Sequence, residues 1–191
     1  MKKSISLFLC VALLSCSPAA EMTQESQKEG PIDQARITTT TISGFASFSE
    51  IGIIHGDFNT SAEVKVRNLG DSRTGEKSST VVIEVVGPRG LYTQSDISGS
   101  ALDETISVLK EFSSLEPHGA EQRGFHRSRQ ILSTTYMGRH HLGLSVSSSQ
   151  EKLYFSVQAQ QTGQTAYLNF SDIEEFMNLI KQAKQEIDSL R

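Results

Sequence analysis

Cysteine, proline and tryptophan are scarce in this chain: its 191 residues include two Cys, four Pro and no Trp. So few cysteines exclude a disulfide framework, and a folded domain must therefore be stabilised by its hydrophobic core. The apolar run from Ile5 to Leu14 is too short to span a membrane, which takes about 20 apolar residues. The patterns GxSxG, GxxxxGKS/T and HExxH are also absent, so no familiar catalytic motif indicates an enzyme.

The first sixteen residues have the layout of an export signal. Lys2 and Lys3 precede the apolar run, and the small residue Ser15 precedes Cys16. The sequence Leu13-Leu14-Ser15-Cys16 resembles the lipobox of bacterial lipoproteins. That resemblance implies cleavage before Cys16 and attachment of acyl chains such as palmitate to it. The alternative is an ordinary secretory signal in which the cysteine stands by coincidence.

The lipobox resemblance implies a membrane-anchored lipoprotein of the cell envelope. Residues 1–15 are then the signal peptide, and 16–35 are the lipidated cysteine and a polar, flexible tether without an apolar period. In a host with two membranes, Ser17 after the cysteine resembles the pattern for sorting to the periplasmic face of the outer membrane. Residues 36–191 are expected to form a single α+β domain.

The charge balance disfavours nucleic acid as a partner. Removal of Lys2 and Lys3 leaves 16 basic residues against 22 acidic ones, a formal net charge of −6. An acidic protein lacks the broad positive surface that phosphate backbones require. The expected partners are a membrane, through the lipid on Cys16, and an envelope protein whose identity the sequence does not reveal.

Several segments rich in β-branched and aromatic residues predict strands. The segment 80–86 is almost wholly apolar, which predicts a central strand covered on both faces. The alternating segment 61–69 predicts a half-exposed strand at a sheet edge. Residues 113–130 are interpreted as a polar loop, with the turn GRHH at 138–141. The other predicted strands are RITTTTISGFASF, ILSTTYM, LGLSVSS, KLYFSVQAQ and QTAYLNF.

Two segments have the periodicity of amphipathic helices. In 100–112, Ser100 is a candidate cap, with apolar residues at helical spacing. In the C-terminal segment 171–191, Ser171 and Glu174 match a capping box. An apolar stripe follows that box and is interpreted as core: Ile173, Phe176, Met177, Ile180 and Ile187.

The order of strands followed by a helix occurs twice, in repeats of about 36–115 and 131–191. The fold class predicted is α+β, with antiparallel sheets, two amphipathic helices and a duplicated ββββα unit. The alternative is that strand, turn and capped helix recur through common local chemistry.

The order of strands followed by a helix resembles the Whirly and Pur-alpha architecture, whose members bind single-stranded nucleic acid. Export and acidic charge disfavour that activity here, so the resemblance implies only the fold. The C-terminal part is also similar to uncharacterised exported bacterial proteins.

The strongest local cluster of polar chemistry is basic. Its members are candidate anion-binding or partner-binding residues: Arg123, His126, Arg127, Arg129, Arg139 and His141. The alternative is a solvated charged loop, partly neutralised by Glu116 and Glu121. If GRHH is extended, His140 and His141 point to opposite faces of a strand, whereas in a turn both could face one ion. A zinc site needs three or four convergent ligands and the HExxH pattern is absent, so no metal site or cofactor is predicted.

Taken together, these patterns favour a lipid-anchored envelope protein without catalytic activity, acting as a binding or structural interaction module. Two alternatives remain open at this point. One is an envelope enzyme, and the other is a polyanion-binding or single-strand-binding domain that uses the region 123–141.

Overall fold

In the described part of the chain, two four-stranded antiparallel sheets are each followed by a helix. The computed structural model describes residues 44–115, 125–149 and 152–190. The first sheet has the order β1 (Gly44–His55), β2 (Ser61–Asp71), β3 (Lys77–Val86) and β4 (Tyr92–Ile97), and α1 (Ser100–Ser113) follows it. The second sheet has the order β5 (His126–Thr135), β6 (Gly138–Ser149), β7 (Lys152–Ala159) and β8 (Thr165–Asn169), and α2 (Asp172–Ser189) follows it.

The predicted α+β class is confirmed, and so is the repetition of four strands and a helix. Every neighbouring pair of strands is antiparallel and consecutive in sequence. Short connections suffice for such a meander, whereas parallel strands would need long crossovers. Each sheet therefore forms from local hairpins.

One face of each sheet is apolar and lies toward the helices. On β3, Val81, Ile83 and Val85 are buried, and on β6 Leu142, Leu144 and Val146 are buried. This alternation with period two is what a sheet with one covered face requires. The apolar faces and both helices share one hydrophobic core.

The two helices tie the repeats together. Helix α2 follows the second sheet but packs on β1, β2 and β3 of the first, while α1 packs on β5 and on α2. Of the stripe predicted on α2, Ile173, Phe176, Ile180 and Ile187 are buried, and Met177 is partly buried against the core. The Phe176 ring lies 5.8 Å from the ring of Phe155 on β7, so α2 contacts both sheets. Neither repeat buries its apolar face with its own helix alone.

Hydrogen bonds from β4 join the first sheet to the second. The Ser95 hydroxyl donates to the carbonyl of His141 over 2.5 Å, and the Thr93 hydroxyl donates to the carbonyl of Ala159 over 3.1 Å. The Gln160 amide donates to the carbonyl of Gln94 over 2.9 Å. The edge of the first sheet is thus occupied by the second sheet, as an exposed strand edge requires.

Several local predictions are wrong. Strand β2 lies inside its sheet, because its polar alternation reflects a solvated face and not an edge. Within the predicted loop 113–130, residues 126–130 belong to β5, and residues 116–124 lie outside the described part of the chain. The predicted turn GRHH belongs to β6, which begins at Gly138. Gly99 precedes α1 in place of Ser100, and Ser171 makes no capping hydrogen bond with its side chain. The predicted strand 36–48 begins outside the described residues.

Candidate functional site

The outer face of the second sheet, opposite the helices, carries three rows of side chains across all four strands. Strand pairing sets each row: His126, Ser147, Tyr154 and Asn169; Ser128, Ser145, Ser156 and Tyr167; Gln130, Gly143, Gln158 and Thr165. These twelve positions are called the hydroxyl-amide face. At about 4.8 Å between strands and 3.4 Å per residue, they cover an area of about 14 Å by 14 Å.

The hydroxyl-amide face has no Asp, Glu, Lys or Arg at any of its positions. Seven positions carry hydroxyls, three carry carboxamides, and the remaining two are a histidine and a glycine. Charged side chains begin only beyond the rows, with Lys152 at one end of the sheet and Arg139 at the other. The face is therefore polar and holds neither carboxylates nor Lys or Arg side chains.

A depression of about 390 Å³ lies in this face. Gly143 forms part of its floor, where a Cβ would come 2.8 Å from Gln130 Nε2 and 3.3 Å from Gln158 Cβ. The absence of a side chain at Gly143 thus lets the two glutamines lie beside it. Its volume lies within the range of roughly 300–1,000 Å³ that is usual for small-ligand sites, but its lining is mainly polar where such sites are mainly apolar.

Tyr167 lines the depression, and together with the Phe58 ring that packs against it forms an aromatic rim. The Phe58 ring stands edge-on to the Tyr167 ring, with 6.0 Å between centroids, and Phe58 is 68% exposed. Phe58 and Asn59 both have φ near +58°, a left-handed conformation that is unusual outside glycine. The rim therefore combines an exposed apolar ring with an uncommon backbone turn.

The loop 56–60 holds the rim in place against β8. The Asp57 N–H donates to the Tyr167 carbonyl over 2.7 Å, and the Tyr167 N–H donates to the Thr60 hydroxyl over 3.0 Å. The Thr60 hydroxyl in turn donates to the Asp57 carbonyl over 2.7 Å. These bonds fix the loop of the first sheet to the edge of the second, beside the hydroxyl-amide face.

The basic residues proposed from the sequence divide between the two faces of the second sheet. Arg127 and Arg129 lie on the helix side of β5, where both contact the Glu111 carboxylate of α1, at 3.2 Å and 3.8 Å. All three side chains are about half exposed. This pairing partly neutralises the two arginines and directs them away from the hydroxyl-amide face.

His126, His141 and Arg139 share the outer face but do not converge. Arg139 pairs with Thr134, eight residues along β5 from His126, which corresponds to about 27 Å. His141 pairs with Leu132, in the row next to the hydroxyl-amide face. Arg123 and Cys16 lie outside the described residues. Of the proposed residues, His126 alone belongs to the hydroxyl-amide face.

His140 points to the opposite side of β6 from His141 and is buried at the seam with β4. Its Nδ1 lies 3.0 Å from the Gln160 amide nitrogen. Its Nε2 has no hydrogen-bond partner within the described part of the chain. In residues 44–115, 125–149 and 152–190, no three His, Cys, Asp or Glu side chains are grouped so that they could hold a metal ion.

The outer face of the first sheet is chemically different. Its depression of about 580 Å³ is lined by Glu50, Lys65 and Glu84 among others. Burial lowers the pKa of Lys65, but hydrogen bonds and charges from Glu63 and Glu84 outweigh that effect and raise it. The Lys65 ammonium lies 2.8 Å from Glu63 and 3.5 Å from Glu84. These charges are largely satisfied among themselves.

Sequence reasoning missed the hydroxyl-amide face except for His126. A signal was present, because hydroxyl and amide residues alternate with apolar ones in LGLSVSS and LYFSVQAQ. Their alignment across strands depends on register, which places Ser145 opposite Ser156 and Ser128 opposite Ser145. The alternation predicted strands without revealing the shared face.

No family model matches the chain, and no curated protein matches it. Among the described helices, none is both long and apolar enough to cross a bilayer.

Proposed function

We propose that this protein is a non-catalytic binding module of the cell envelope, held at a membrane by lipid on Cys16, which presents the hydroxyl-amide face to its ligand. The observation that carries the proposal is that face itself: twelve aligned positions without formal charge, around a depression of about 390 Å³. Solvated sheet faces ordinarily carry interspersed charges, as the outer face of the first sheet does. A wide neutral face beside an aromatic rim is the better candidate for recognition.

The alternatives have less support from the side-chain arrangement. A single-strand or polyanion site in the region 123–141 needs cations free to contact phosphate. Arg127 and Arg129 instead share the Glu111 carboxylate. An enzyme needs a nucleophile, base or acid placed by a neighbouring group. His126 belongs to the hydroxyl-amide face and His141 to the row beside it, and their partners on the paired strands β5 and β6 are Ser147 and Leu132 and not carboxylates.

The anchor is tested by replacing Cys16 with Ala and separating membrane from soluble protein after cell lysis. The parent chain is expected in the membrane fraction and Cys16→Ala outside it, because acyl chains supply about 0.8 kcal/mol per buried methylene. Metabolic labelling with a palmitate analogue should mark the parent only. Equal membrane retention of both proteins, without label, would contradict the lipid anchor.

The binding face is tested by photo-cross-linking in living cells. A photoreactive benzoylphenylalanine replaces Ser128, an exposed position on the hydroxyl-amide face, or Ser107, an exposed position on α1. Discrete cross-linked products are expected from position 128 and not from position 107. Adding Gly143→Trp, which fills the depression, should abolish the products at position 128. The same products from both positions, or none at position 128, would contradict the use of this face.

A further inference from the structure

We infer that the hydroxyl-amide face binds an uncharged glycan chain. The inference rests on the proposed function and names the ligand of the same site. The hydroxyl-amide face matches a saccharide in three properties: its hydrogen-bonding groups, its charge and its apolar surface. Each of these three properties restricts the ligand separately.

The hydrogen-bonding groups of the face suit a ligand rich in hydroxyls. Serine, threonine and tyrosine hydroxyls both donate and accept, and carboxamides carry a donor and an acceptor side by side. Gln130 and Gln158 flank Gly143 at the floor of the depression, so one carboxamide lies on each side of Gly143. Saccharide hydroxyls also donate and accept, and each can therefore pair with these side chains in either sense.

The charge of the face excludes the main competing polymers. A nucleic acid or another polyanion gains affinity from Lys and Arg contacts that release counterions, and the twelve positions contain neither. A strongly charged peptide would lose hydration of its charges without meeting opposite charges on the face. An uncharged polar ligand needs neither cationic contacts nor opposite charges on the face.

The apolar surface at the face is aromatic. Tyr154 and Tyr167 stand in adjacent rows on neighbouring strands, and the exposed Phe58 ring contacts Tyr167. Aromatic rings offer rigid apolar surface, and the tyrosine rings also carry a polar hydroxyl. The C–H faces of sugar rings pack on such surfaces while their hydroxyls reach the surrounding serines and glutamines.

Uncharged peptides are less well accommodated. Extended peptides commonly bind by adding a strand to an open sheet edge. At Tyr167 the outer edge of β8 is already bonded to Asp57 of the loop 56–60. The hydroxyl-amide face offers side chains and not backbone groups, so a peptide would gain no backbone ladder there.

The test is calorimetric titration of the full-length lipidated protein, held in a detergent without a sugar headgroup. The probes are cellohexaose, maltohexaose and fully N-acetylated chitohexaose, with oligothymidylate and an uncharged Gly-Ser peptide as competitors. At least one saccharide is expected to bind. Its Kd should change by less than about twofold between about 0.05 and 0.5 M salt, whereas phosphate contacts would produce a steep dependence.

Two substitutions localise the binding. Gln130→Ala, at an exposed position, should weaken saccharide binding about three- to tenfold, the cost of one lost hydrogen bond. Tyr167→Ala should weaken it about as much through lost ring contact. The matched control is Gln94→Ala, which removes the same amide from the outer face of the first sheet and should leave the Kd unchanged. Thermal melts confirm that each variant is folded.

Binding of the peptide or oligothymidylate alone, or no binding by any of the saccharides, would overturn the glycan inference. So would equal weakening by Gln130→Ala and Gln94→Ala. If photo-cross-links from position 128 persist in that case, the proposed function stands and only the ligand class is wrong. If those cross-links are also absent, both proposals fail together.

Discussion

Replacing Asp96 with Leu will leave the buried guanidinium of Arg67 without its carboxylate. Arg67 on β2 reaches across β3 to Asp96 on β4, with 2.5 Å between Nη1 and Oδ2. The side chains are 6% and 0% exposed, and the Phe48 ring covers the guanidinium at 5.2 Å. Water therefore cannot replace the lost carboxylate, and the charge remains uncompensated.

The expected cost of Asp96→Leu follows from this geometry. Removing one partner of a buried ion pair costs about 3–5 kcal/mol. At about 2–4 °C per kcal/mol for a domain of this size, the melting temperature should fall by about 6–20 °C. The double variant Arg67→Met with Asp96→Leu removes both charges and should be about as stable as the parent, or more stable by about 1–4 kcal/mol. Within the described residues, Asp96 Oδ1 has no hydrogen-bond partner, so the native pair does not fully offset its desolvation.

Urea titrations and calorimetry of the parent, the single variant and the double variant measure these differences. Glu63→Leu is the control, because Glu63 is partly exposed and Lys65 keeps Glu84 as a second partner. It should cost less than about 1 kcal/mol. A free energy of unfolding for Asp96→Leu within about 1 kcal/mol of the parent, or a double variant as unstable as the single one, would contradict the burial of an unpaired Arg67 charge.

Three further changes test the core, the rim and a turn. Ile180→Asp places a carboxylate in the core and should lower the free energy of unfolding by about 4 kcal/mol or more. The control Gln182→Asp, at an exposed position of α2, should not, and equal urea midpoints for the two variants would contradict the packing of α2. Gly56→Ala puts a Cβ 2.2 Å from the Tyr167 carbonyl oxygen, so it should lower the free energy of unfolding by about 1–3 kcal/mol and weaken the contact of the loop 56–60 with β8. An unchanged urea midpoint would show that the loop is not docked on β8. Backbone hydrogen bonds from residues 73 and 74 lower the pKa of Asp71 in the folded protein. The ionised Asp71 carboxylate therefore stabilises the fold above the unfolded pKa of about 3.9, and this stabilisation is lost as pH falls through the lower folded pKa. Asp71→Asn should therefore destabilise the protein at neutral pH and progressively less below about pH 4, and a constant difference in urea midpoint would contradict this.

The elements whose patterns are strongly apolar could be predicted from the sequence. The α2 stripe has helical spacing over about four turns, and the apolar run 80–86 lies in the inner strand β3, where most of its residues are buried and Glu84 is half-buried. Burial of many side chains along one face leaves a periodic signal that local chemistry cannot imitate. The duplicated order of elements followed from the same patterns.

The polar strand ends and the site could not be predicted in this way. Residues 126–130 are polar on both sides of β5, because one side faces Glu111 and the other forms the hydroxyl-amide face. Such a segment has no apolar alternation and is indistinguishable from a loop. The face itself unites Ser128, Ser145 and Ser156, which become neighbours only through strand register. Register is set by the whole core and not by the residues of the face.

The central claim is that the hydroxyl-amide face is the ligand-binding surface. The most direct test is a backbone amide NMR map of the labelled, full-length protein, titrated with the saccharide that binds most tightly. The largest amide shifts are expected along the three rows, with Ser128, Ser145 and Ser156 at their centre. Shifts concentrated on the outer face of the first sheet, or around Arg127 and Glu111 on the helix side of β5, would contradict it.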